Sequence, residues 1–63
     1  MLNERCRVKE TGQVGVINAV LHDAQGNPWQ VHVKLEGEVS DPWKPPLVLA
    51  VSDIVLLDPS RNN

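Results

Sequence analysis

The chain is expected to be all-β, a small barrel of five short strands with a one-turn helix before the last. Three observations lead there. Its apolar segments are only four to nine residues long, they are rich in valine, and glycine, proline, asparagine or aspartate punctuates them at close intervals. Sixty-three residues allow one domain, 1–63, and a domain of this size buries only about 60% of its unfolded surface.

Residues 5–9 form the first candidate strand, with Cys6 and Val8 on one face and Arg5, Arg7 and Lys9 on the other. Thr11-Gly12-Gln13 follows as a turn, since glycine adopts positive φ without steric cost. Residues 14–22 make the longest strand; Gly15 and the β-branched residues weigh against a helix. Strict alternation gives this strand two apolar faces, Val14, Val16 and Val20 on one and Ile17, Ala19 and Leu21 on the other. Residues 23–28 connect a hairpin. In residues 29–36, Trp29, Val31, Val33 and Leu35 alternate with Gln30, His32, Lys34 and Glu36, the pattern of a half-buried antiparallel strand with Trp29 in the core.

Residues 37–46 form a loop containing Asp41-Pro42-Trp43-Lys44-Pro45-Pro46. A fourth strand, 47–51, is apolar on both faces. Ser52 or Asp53 can cap a tight turn with its side-chain oxygen, residues 55–57 form a last strand, Pro59 stops it, and residues 57–63 fray as a tail.

Arg7-Val8-Lys9 followed by Gly12-Gln13-Val14-Gly15-Val16-Ile17 resembles the opening of SH3-like barrels, including the KOW motif with its G-x-x-G-x-V core. The run from Leu47 to Leu57 is similar to the end of those barrels, where a strand, a one-turn helix and a final strand close the sheet. Three branches of the superfamily suggest three expectations. The KOW resemblance implies RNA or ribosomal partners, although the basic loops of those modules are missing here. Likeness in size and element order to accessory subunits of photosynthetic electron-transfer complexes implies a docking module. Type II dihydrofolate reductases are also short SH3-like barrels, and assemble into tetramers. Their pore-lining Val-Gln-Ile-Tyr stretch would fall on Leu47, Val48, Leu49 and Ala50; the glutamine and tyrosine are absent, so the activity does not carry over.

Composition narrows the functional classes. Six basic and eight acidic residues give a formal charge of −2, against the strongly basic balance of most nucleic-acid modules. Nucleic acid is therefore not the expected partner, although Arg5, Arg7 and Lys9 form a row that could touch phosphates. No metal or other cofactor is expected: His22 and His32 stand ten residues apart, and Cys6 gives them no spaced thiolate partners. A single cysteine cannot form an internal disulfide and fits a reducing cytoplasm, where Cys6 reads as a small buried hydrophobe. No apolar run approaches the roughly 20 residues of a membrane helix, and Asn3-Glu4-Arg5 interrupts any leader-like segment.

The expected function is therefore non-enzymatic, with no catalytic residues: a binding or assembly module that self-associates, first as a two-fold dimer, or docks on a partner protein. Val14, Val16, Val20 and Val48 are the expected self-association residues, because one barrel cannot bury both faces of its strands. Trp43 either plugs the open end of the barrel or is held outward as an anchor by Pro42, Pro45 and Pro46. The enzymatic alternative places Gln30, His32 and Lys34 around a pore shared between subunits, with a nicotinamide cofactor.

Overall fold

The computed structural model describes residues 1–57, so the expected stop at Pro59 and all but the first residue of the tail lie outside the described residues. Five antiparallel strands form one sheet: β1 Arg5–Val8, β2 Val14–His22, β3 Pro28–Leu35, β4 Leu47–Ala50 and β5 Ile54–Leu56, in the spatial order β4-β3-β2-β1-β5. The described residues contain no α-helix, and the turn before β5 is a single 3-10 turn, Val51–Asp53. Neither Ser52 nor Asp53 caps it with a side chain, contrary to expectation. Asp53 contributes its carbonyl instead, accepting from the Lys9 amide at 3.0 Å and tying the end of β1 to the turn. A second 3-10 turn, Glu36–Glu38, continues directly from β3.

Local chemistry explains the hairpins. Gly12 has φ 77° and donates its amide to the Val8 carbonyl at 2.7 Å, closing the β1–β2 connection. In the β2–β3 connection the Asp23 carboxylate accepts from the amides of Gln25 and Asn27, both at 2.9 Å, so one side chain organises the loop.

The inner face of the sheet holds Cys6, Val8, Ile17, Val31, Val33, Leu35 and Ile54, all buried, with Met1, Val20, Leu49 and Val51 packed against them. Gly15 belongs to this face for a steric reason. A Cβ there would stand 2.6 Å from the Lys34 carbonyl oxygen and 2.7 Å from a Val33 methyl, so β2 and β3 can approach closely only at a glycine.

Two bulges correct the expected faces. Ile17 pairs with Val33 but Ala19 pairs with His32, leaving Asn18 as an extra residue on β2. Alternation restarts there, so Val20 lies opposite buried Val31 on the inner face, while Ala19 and Leu21 join His32 and Gln30 outside. Val20 was expected outside and Ala19 and Leu21 inside; the inserted residue reverses all three. The second bulge lies at Trp29, skipped between the pairs Leu21–Gln30 and His22–Pro28. Trp29 is therefore not core, and remains 51% exposed. The core contains no aromatic residue.

Candidate interaction surface

Among the large hydrophobic side chains of the described residues, Trp43 is the most exposed, at 90%. It does not fold back over the core, contrary to the plug expected for it. Its loop leaves β3 through the turn at Glu36–Glu38 and is held by a compact set of hydrogen bonds. The Asp41 carboxylate accepts from the Trp43 amide at 3.0 Å, and the Asp41 carbonyl accepts from the Lys44 amide at 3.2 Å. Lys34 reaches the same carbonyl with its ammonium at 2.9 Å and also donates to the Lys44 carbonyl. Lys34 thus grips both sides of Trp43. Pro42 and Pro45, both exposed, restrict φ on either side. The indole projects from a pinned turn, which lowers the conformational entropy lost when it is covered.

Lys34 belongs to the outer face of the sheet, so this loop bends over that side. Register defines the rest of the face. Val48 pairs with His32, which pairs with Ala19; Ala50 pairs with Gln30, which pairs with Leu21. Val48 is 55% exposed, and the strip of Val48, Ala50, Ala19 and Leu21 frames two polar side chains. Nearer the loop, Val16 lies between Lys34 and Arg5, and Val14 lies beside Arg7. Both valines are half-buried, flanked by long side chains whose stems cover apolar surface. Of the four valines singled out from sequence, Val48 is thus exposed, Val14 and Val16 are partly covered, and Val20 packs on the core.

Charges on this face are partly engaged. Arg5 donates to the Glu36 carboxylate at 2.8 Å, which offsets the first cation of the row Arg5, Arg7 and Lys9. Lys44 stands 3.8 Å from Glu38. The ammonium of Lys34 is directed to backbone carbonyls, while Gln30 and His32 remain half-buried on the outer face beside it. Cys6 is fully buried, and desolvation pushes its thiol pKa above the ordinary value of 9.0. Among the described residues, no group of three or more histidine, cysteine, aspartate or glutamate side chains gathers around a common point.

One feature escaped sequence reasoning. At the far end of the β2–β3 hairpin, Met1, Leu2, Val20, His22 and Pro28 line an open, mainly apolar cleft of about 310 Å3. The signal available for it was Leu2, an apolar residue placed ahead of the first strand. A second, more polar cleft of about 410 Å3 lies between the β1–β2 turn and the Glu36–Glu38 turn.

Comparison of the chain with protein-family models, with curated proteins and with solved structures returns no match.

Proposed function

We propose that the chain is a small, non-enzymatic binding or assembly module on an SH3-like barrel, acting in the cytoplasm by self-association or by docking on a partner protein. The observation that carries this reading is Trp43, an indole 90% exposed on a loop whose backbone Lys34 holds at the carbonyls of Asp41 and Lys44, on either side of it. A fold of this size whose core lacks aromatic residues would gain from burying its largest apolar side chain, yet the loop is built to keep it outside. Val48 and its neighbours supply a second apolar element on the same side of the sheet, and exposed apolar patches of this kind mark contact sites.

Light scattering tests the reading. The wild-type chain is expected to exceed the monomer mass at high micromolar concentration, and Val48→Glu to give a smaller soluble species. A wild-type monomer throughout would refute self-association. Docking on another protein would then stand or fall on whether Trp43→Ala abolishes binding to that purified protein.

A further inference from the structure

We propose that the outer edge of β4, Leu47–Ala50, is the self-association site, and that its occupant is the same edge of a second copy, paired antiparallel about a two-fold axis. This rests on the reading of the chain as a self-associating module and names the contact. β4 ends the sheet: it bonds to β3 on one side, and among the described residues no backbone group of 47–50 bonds to anything on the other. Alternate residues of such a strand present unpaired N–H and C=O groups, a row that a further strand satisfies in register.

The two edges of the sheet differ in how they are guarded. Brevity, charge and proline blunt an edge against pairing. β5 has three residues, with Asp53 just ahead of it and Asp58 and Pro59 soon after it in the sequence. Beyond the two prolines at its entry, β4 lacks such protection: it keeps unbroken register with β3, and no charged residue stands between Lys44 and Asp53.

Symmetry and charge select a second copy as the occupant. A two-fold axis makes one edge its own complement, since each copy offers the donors and acceptors that the other lacks. Antiparallel pairing also sets the entry of one strand, with Lys44, against the exit of the other, with Asp53. Both charges have capacity left: Lys44 has one long ion pair, 3.8 Å to Glu38, while the exposed Asp53 carboxylate forms no ion pair among the described residues and does not cap its turn. Opposite charges therefore meet at both ends of the strand pair. Opposed residues in an antiparallel pair share a face, so the Val48 and Ala50 positions of both copies line the outer side and the two exposed strips merge into one. Four paired residues per copy cover less than the roughly 800 Å2 per partner of a standard interface, so the dimer is weak and concentration-dependent.

Sedimentation over a concentration series and amide hydrogen exchange on the full chain test this together. The mass is expected to double and to stop at the dimer. Of the β4 amides, those bonded to β3 stay protected throughout; the alternate ones that point out of the sheet should exchange at least about tenfold more slowly in the concentrated sample than in the dilute one. A dimer whose outward β4 amides still exchange freely overturns the edge contact and leaves association through the sheet face standing. A wild-type monomer overturns contact and reading alike, whether those amides exchange fast or are slowed by cover from the chain's own residues. Lys44→Asp and Asp53→Lys, each checked for fold by circular dichroism, then test the direction of pairing. Each alone should weaken dimerisation about threefold or more at low salt, and an equal mixture should recover it, because opposite charges again face each other at both ends. No loss in either variant, or no recovery in the mixture, overturns the antiparallel arrangement.

Discussion

Replacing Lys34 by methionine keeps an unbranched apolar stem on the outer face and deletes the ammonium that joins the Asp41 and Lys44 carbonyls. A hydrogen bond to a charged group contributes about 1.5–3 kcal/mol in a protein, but this site is partly open to water and a lysine loses rotamer entropy when fixed. The pair together is therefore expected to stabilise the loop by about 1–2 kcal/mol. That stabilisation acts on residues 36–46, because the ammonium's hydrogen-bond acceptors are the loop carbonyls of Asp41 and Lys44, and the Asx turn at Asp41 survives without it. Local opening should become about 5–30 times more frequent. Amide hydrogen exchange reads this directly. The Trp43 and Lys44 amides, which donate to the Asp41 carboxylate and carbonyl, should exchange faster by that factor, while the Val31 and Val33 amides in the core strand stay as protected as in wild type. Unchanged exchange at Trp43 and Lys44 would refute the claim that Lys34 holds the indole outward.

Other perturbations probe the core and the bulges. Gly15→Ala must displace the Lys34 carbonyl from a 2.6 Å approach, and should destabilise the fold by about 2–3 kcal/mol in urea unfolding. Trp29→Thr should cost less than about 1.5 kcal/mol, against the 3–5 of a buried tryptophan, whereas Val20→Asp should prevent folding because it puts a charge against Val31. A loss near the larger figure for Trp29→Thr would contradict its position outside the core. Burial raises the Cys6 thiol pKa, so the stability this neutral group supplies is complete below the ordinary value of 9.0 and declines as pH rises from there toward the folded-state value. Cys6→Ala should flatten that alkaline decline, and the native thiol should react with a disulfide reagent only when the chain unfolds; prompt reaction of the folded protein would contradict burial.

The strands were legible because their signals are local. Valine-rich runs between Gly12, the Asp23 to Pro28 connection and the proline loop mark β2 and β3 to within one residue, and the inward placement of Cys6 and Val8 follows from simple alternation. The candidate surface was only partly legible. The prolines around Trp43 indicated a stiff loop, but whether the indole turned in or out depended on Lys34, whose grip links residues seven and ten positions apart.

By itself, then, the amino-acid order determined an all-β chain of five short antiparallel strands, its turns, and a surplus of apolar surface, since each depends on residue type and a period of two. The tertiary structure alone decided which apolar residues make up that surplus. A bulge adds one residue to one strand, a choice made by the fit between neighbouring backbones; the one at Asn18 puts Val20 inside and turns Ala19 and Leu21 outward, and the second, at Trp29, leaves that indole half in solvent.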